Sequence, residues 1–213
     1  MKKYNFVIFD WDGCLAKTPH LLLKAFKTVL IKDGLFFKDE QIVKYMFGNW
    51  VEGLKYWGVQ NPEGVIDRIK KQLEVDKLEL ELYPGARETL ARLRKKGIIL
   101  TLLTTGSSLE VLPYLTKTGI TNYFKKVLTG DKFNLRKPDM RILEAAVGEL
   151  GSKKSDTLWV GNSMNDLEMG KAAGIDTVIY YPQENEKFGE SRVLNSVVGA
   201  RVIRQLKELP GLI

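Results

Sequence analysis

The chain has 213 residues, enough for one large domain or for one core with an insert. Its hydrophobic fraction of 44% and charged fraction of 28% are those of a soluble globular protein. The net charge of +7 favours anionic ligands, while the single cysteine, Cys14, excludes an internal disulfide and fits a reducing compartment.

Phe6-Val7-Ile8-Phe9 is a continuous apolar run and reads as a short, buried parallel strand. Such strands end at a crevice where ligands sit. Asp10 and Asp12 follow directly. In an extended chain, residues two apart face the same way, so both carboxylates point into that crevice and Trp11 points elsewhere. Gly13 lets the backbone turn away and leaves its N–H open. Two carboxylates at a dry strand end are costly unless a cation neutralises them or one keeps its proton. Both outcomes suit phosphoryl transfer. A plain strand followed by an Asp-Gly turn is the alternative at this point.

From Lys17 to Leu82 the apolar spacing is helical throughout. A helix starts at Thr18 or Pro19, carries Leu21, Leu22, Ala25, Phe26, Val29 and Leu30, and ends at Asp33-Gly34. A second opens at Asp39, with Ile42, Val43, Met46 and Phe47 on one face and a break at Gly48. Val51, Leu54, Tyr56 and Trp57 form a third apolar set, closed by Gly58. Asn61-Pro62 starts a fourth, with Pro in the first turn. This stretch reads as a separate helical subdomain.

Tyr83-Pro84-Gly85 punctuates the return. The next helix ends in Arg92, Arg94, Lys95 and Lys96, where cations offset the helix dipole. The other basic residues are spread out, so a nucleic-acid role is disfavoured. Ile98 to Leu103 is a second buried strand, ending in Thr104-Thr105-Gly106-Ser107-Ser108. This turn has two readings, an anion-binding helix N-terminus or plain capping by a serine. Lys126 to Thr129 is a weaker strand. Arg136-Lys137-Pro138 follows, and Pro138 opens a helix, which leaves the Lys137 cation where the dipole gives it no stabilisation. A bound anion or the carboxylates of another strand end would explain it. Thr157 to Val160 is a fourth strand and runs into Gly161-Asn162-Ser163-Met164-Asn165-Asp166. Asp176 to Tyr180 is a fifth, and a final helix carries Val202, Leu206 and Leu209. Strands alternating with helices give an α/β fold with a doubly wound parallel sheet. No stretch approaches the ~18 apolar residues that span a membrane. Met1-Lys2-Lys3 precede only a strand-length apolar run, so the chain reads as cytoplasmic.

Four signals stand in chain order: Asp10-Trp11-Asp12-Gly13, Thr104-Thr105-Gly106, Arg136-Lys137-Pro138, and Gly161-Asn162 through Asp166. Together they resemble the phosphatase branch of the haloacid dehalogenase-like hydrolase superfamily. The helical insert is similar to that superfamily's small cap, shared by phosphoglycolate-phosphatase-like and β-phosphoglucomutase-like members. The resemblance covers nearly the whole chain. It implies a Rossmann-like core over residues 1–16 and 83–213 with an inserted helical cap domain over 17–82.

The resemblance also implies roles. Asp10 matches the nucleophile that becomes an aspartyl phosphate, and Asp12 the general acid/base, whose pKa should exceed that of Asp10. Thr104, Thr105, Gly106 and Gly13 match the phosphate clamp, and Lys137 the neutralising cation. Asp10, the Asp12 carbonyl, Asn162 and Asp166 match the ligands of a Mg²⁺ ion. The substrate implied is a small phosphorylated metabolite. A carboxylic acid at Asp12 suits an alkoxide leaving group and argues against dehalogenation, where a halide needs no proton. Asn162 departs from the pattern, which has an acid there, and should bind Mg²⁺ more weakly without ending activity. Lys17 and His20, at the start of the insert, would favour a second anionic group on the substrate, or are two solvated side chains on a hinge helix. Two other functions stand beside the phosphatase: a β-phosphoglucomutase-like phosphomutase, and a non-catalytic binding protein that kept the fold. Oligomeric state is not implied.

Overall fold

The structure, a computed structural model, describes residues 4–46, 50–133, 135–188 and 201–213. The described chain forms two compact units. One comprises residues 4–16, 81–184 and 201–213, and the other 17–46, 50–80 and 185–188.

The first unit is built on six strands: β1 (Phe6–Phe9), β2 (Ile99–Leu103), β3 (Phe124–Leu128), β4 (Thr157–Gly161), β5 (Asp176–Tyr180) and β6 (Arg201–Ile203). All pair in parallel, in the order β3-β2-β1-β4-β5-β6. This is the doubly wound α/β arrangement. Parallel strands covered on both faces need side chains that are apolar in both directions, and Val7, Ile8 and Phe9 are wholly buried. Strand order reverses direction at β1. Phe9 stands level with Leu102 of β2 and Val160 of β4. The carboxyl ends of β1, β2 and β4 therefore lie side by side at the topological switch point, where this fold opens a crevice.

Four helices alternate with the strands: α5 (Ala86–Lys95), α6 (Ser108–Lys117), α7 (Arg141–Leu150) and α8 (Met164–Ala173). Leu143, Ala146 and Val147 of α7 and Met169 and Ala173 of α8 pack on Ile8 and Trp159. The chain leaves this unit beside the point where it returns, with Ala16 bridged to Leu82 and the Tyr83 N–H donating to the Leu15 carbonyl at 2.9 Å.

The second unit is helical: α1 (Thr18–Lys32), α2 (Asp39–Met46), α3 (Trp50–Tyr56) and α4 (Pro62–Asp76). Leu23, Phe26 and Leu30 of α1 meet Ile42, Leu54, Val65 and Ile69 in one core. Trp57 stacks on Phe37 at 4.2 Å, and Trp50 sets its edge against Phe26 at 5.0 Å. Tyr56 falls outside this core, with 75% of its surface exposed. The helix break expected at Gly48 lies outside the described residues, as do Phe47 and Asn134.

Three elements differ from expectation. The last segment is not a helix: Val202 and Ile203 pair with Ile179 and Tyr180 as β6, and Leu206–Gly211 is a 3₁₀ turn. A three-residue spacing of leucines suits a 3₁₀ helix, and Pro210 removes a helical donor. A three-residue edge strand has no local signature, because its partner lies elsewhere in the chain. The helix after Pro138 begins only at Arg141, and the Asp139 carboxylate accepts from the Arg141 N–H at 3.0 Å just before it. Strand β3 starts two residues earlier than its apolar run. Among the described residues no helix is long and apolar enough to cross a membrane.

Candidate active site

Each motif sits where a strand or turn of the sheet unit delivers it. Asp10 follows β1 and is 4% exposed, its N–H held by the Val160 carbonyl at 2.9 Å. Thr104 follows β2, its N–H held by the Leu128 carbonyl at 3.0 Å. Asn162 follows β4, and Ser163 caps α8, which places Asp166 in the first turn. Lys137 comes from the loop before α7 and reaches in over the sheet.

The four signals converge. Lys137 donates to Asp10 Oδ1, and its ammonium is 2.8 Å from Asp166 Oδ1. Its side chain is only 11% exposed. That position answers why a cation precedes α7, since two buried carboxylates hold it there. The other Asp166 oxygen accepts from the Asn162 and Ser163 N–H groups at 3.0 Å each and from the Ser163 hydroxyl at 2.7 Å. Thr104 Oγ1 donates to Asp12 Oδ2 at 3.3 Å. Asp12 is exposed to solvent, unlike Asp10.

Burial governs the electrostatics. It pushes the Asp10 carboxyl up to about 8, against the pull of Lys137 and with help from Asp166 and Asp12. Burial also opposes charge on Lys137, but Asp10 and Asp166 outweigh it and hold the ammonium above its usual range. Asp166 stays low: burial works against its charge, and Lys137 with the Ser163 and Asn162 donors outweighs that. Two buried carboxylates thus share one ammonium, with Asp12 close enough to raise Asp10 further, a charge set that a divalent cation would complete.

The donor set fits such a cation. The side-chain end of Asn162 lies 2.9 Å from the Asp12 carbonyl oxygen and 3.1 Å from Asp10 Oδ2. With the amide oxygen at that end, three oxygens converge, the hard-cation chemistry of Mg²⁺ or Ca²⁺ sites. One of these donors is a backbone carbonyl and one an amide. Among the described residues no three His, Cys, Asp or Glu side chains gather as a ready-made metal cluster. Asp166 turns both oxygens to Lys137 and the α8 cap.

At the helix turn after Thr104 the serines donate to acidic side chains. Ser107 N–H donates to Glu110 at 3.0 Å, and Ser108 N–H and hydroxyl donate to Asp131 at 3.1 and 2.6 Å. The chain's own carboxylates occupy the start of α6. The Gly106 N–H turns onto Thr104 Oγ1 at 3.0 Å. A Cβ on Gly106 would come within 3.3 Å of that oxygen. Gly13 differs from expectation: its N–H is not open but donates to the Ala16 carbonyl at 2.9 Å, and the glycine serves a φ of +76°.

Two contributors escaped the motif reading. Trp159 of β4 donates its indole N–H to the Asp166 carbonyl at 3.1 Å, and the Lys137 ammonium lies 4.9 Å from its ring centre. It reads from sequence only as a buried strand residue. Ser163 is legible, as the first member of a Ser-x-x-Asp cap. Cys14 is wholly buried, and burial, with the charges of Asp10 and Asp166, drives its thiol well above its usual range, so it is not a reactive thiolate.

The switch-point crevice thus gathers a buried carboxylate, a lysine and an oxygen cluster. The family described as haloacid dehalogenase-like hydrolase matches residues 7–180, and the chain belongs to it. The phosphoglycolate phosphatase of Yersinia pestis is 30% identical over 178 residues, spanning 79% of this chain and 77% of its own. That of Pseudomonas fluorescens is 33% identical over 183 residues, spanning 81% and 67%. A family hydrolase from Deinococcus radiodurans, solved with bound phosphate and sodium, superposes with a TM-score of 0.87 at 21% identity, over 100% of this chain and 99% of that one.

Proposed function

We propose that the protein is a Mg²⁺-dependent phosphatase that hydrolyses a small phosphomonoester through a phosphorylated Asp10. The observation that carries this reading is the buried Asp10–Lys137–Asp166 arrangement at the end of β1. Asp10 Oδ1 is charge-paired, and Oδ2 lies 3.1 Å from the end of the Asn162 side chain. A carboxylate so placed attacks phosphorus, and the ester C–O oxygen leaves with the electron pair of the P–O bond. Asp12, held by the Thr104 hydroxyl, protonates that leaving oxygen and then takes a proton from the water that hydrolyses the acyl phosphate. Lys137 neutralises the phosphoryl oxygens, and the Thr105 N–H orients them. Gly106 and Gly13 shape the loops that bring those donors close.

Asp10 Oδ2, the Asp12 carbonyl and Asn162 would hold the Mg²⁺, with Asp166 acting through Lys137 or a water. The ion would supply positive charge to the nucleophile and the transferred phosphoryl group.

The sheet unit carries the chemistry, and residues 17–82 are assigned as a cap that selects the substrate. The names of the relatives make phosphoglycolate the first compound to test. The experiment is phosphate release from phosphoglycolate and from an aryl phosphate, with MgCl₂ and with EDTA, for the wild type and Asp10→Asn. Metal-dependent release that vanishes in the variant supports the reading. Phosphate transfer to a sugar without net release would establish the mutase instead.

A further inference from the structure

Asn162 presents two chemically opposite ends to one position. The atom it places there is 2.9 Å from the Asp12 carbonyl oxygen and 3.1 Å from Asp10 Oδ2. The carbonyl is an acceptor only, and so is the carboxylate when ionised. An amide oxygen at that position gives three mutually repelling oxygens, an arrangement that needs a cation among them. An amide nitrogen at the same position donates to both neighbours at ordinary hydrogen-bond lengths. We infer that Asn162 is a stand-in for the cation: without metal its NH₂ group bridges Asp10 Oδ2 and the Asp12 carbonyl, and metal binding turns the amide over to present its oxygen.

The inference rests on the metal-assisted reading above. It explains what an amide does that an acid at position 162 cannot. A carboxylate there has no donor and would press a third acceptor against two others. It would also add charge to a site where Asp10, Asp12 and Asp166 already outnumber Lys137. The amide leaves the metal-free site internally satisfied. It also makes the metal compete with two hydrogen bonds, so binding is weaker for a second reason besides the missing charge.

The test uses the full chain as wild type, Asn162→Asp and Asn162→Ala, each melted in EDTA and in MgCl₂. In the wild type, amide spectra also follow the Asn162 side-chain NH₂ protons. In EDTA both variants should melt roughly 4–8 °C below the wild type, the effect of two lost hydrogen bonds. MgCl₂ should raise the melting point of Asn162→Asp more than that of the wild type, with half-saturation at a concentration at least ~10-fold lower, about the effect of one strengthened charge contact. The wild-type Asn162 NH₂ protons should be shielded from exchange in EDTA and lose that shielding as Mg²⁺ is added.

An Asn162→Ala chain that melts with the wild type in EDTA overturns the inference. So do NH₂ protons that exchange freely without metal. An Asn162→Asp chain that folds only with MgCl₂ supports it, and if that chain folds in neither buffer, proton exchange in the wild type decides. Mg²⁺ responses combined with an unshielded amide remove the stand-in and leave the phosphatase reading intact. No Mg²⁺ response in any of the three chains removes the metal-assisted reading, and the inference with it.

Discussion

Replacing Gly161 by alanine places a methyl group where the structure has no room for one. An alanine Cβ would lie 2.4 Å from Asp166 Cβ and 2.5 Å from its Cγ. Carbon atoms in contact sit about 3.5–4.0 Å apart, so Asp166 must move by roughly 1 Å. It cannot move freely. One of its oxygens accepts from the Asn162 and Ser163 N–H groups and the Ser163 hydroxyl, and the other faces Lys137 at 2.8 Å. Overpacking of this kind costs roughly 1–3 kcal/mol, and each hydrogen bond to a charged group that is lost costs about 1.5–3 kcal/mol more. With one such bond broken, the sum is about 4 kcal/mol, or roughly 8–16 °C in melting temperature for a chain of this size. The control is Gly148→Ala in α7, an exposed helical glycine whose Cβ meets nothing within 4 Å. It should gain up to about 1 kcal/mol. Urea unfolding followed by far-UV circular dichroism measures both, with phosphate release run alongside. A Gly161→Ala protein within about 0.5 kcal/mol of the wild type and fully active would refute the argument that the glycine exists to seat Asp166.

Other outcomes follow from the same contacts. Lys137→Met should abolish turnover and destabilise the protein by roughly 3–5 kcal/mol, because Asp10 and Asp166 are left buried without their cation; a stable, inactive variant would show that the lysine is purely catalytic. Asp131 carries a carboxyl lowered to about 2, chiefly by its hydrogen bond to Ser108. A lowered folded-state value means its stabilisation is present above about pH 4 and fades as the pH falls toward 2. The melting difference between wild type and Asp131→Asn should therefore shrink across that window, and a constant difference would count against the capping role. Ile69→Ala, wholly buried in the helical unit, should cost about 2–5 kcal/mol of that unit's stability, read by hydrogen exchange of α1 and α4.

Local chemistry made most of the chain legible. Phe6–Phe9, Ile99–Leu103, Thr157–Gly161 and Asp176–Tyr180 are short, mostly apolar segments whose length and flanking turns favour a buried strand. The punctuating residues Gly34, Gly58 and Pro62 end or open helices where their backbone preferences require. Asp10, Asp12, Thr104, Lys137, Asn162 and Asp166 were all visible as strand-end or loop residues in a fixed order.

Only the tertiary structure decided how they meet. Sheet order placed the ends of β1, β2 and β4 together, and no single stretch encodes which strand pairs with which. Lys137 could be flagged as an unexplained cation, but its two carboxylate partners lie 127 residues before it in Asp10 and in the first turn of α8. Asp131, from a different loop, meets the Ser108 N–H and hydroxyl at the start of α6, a contact that no local spacing encodes. Trp159 is one more buried aromatic by sequence; only the fold sets its indole N–H on Asp166 and its ring face under Lys137. Strand β6 was missed because three residues form a strand only when an edge is waiting for them. Residue type and spacing set what each segment becomes and which chemistry it offers; long-range packing sets which partner each group finds, and burial then sets the charge it carries.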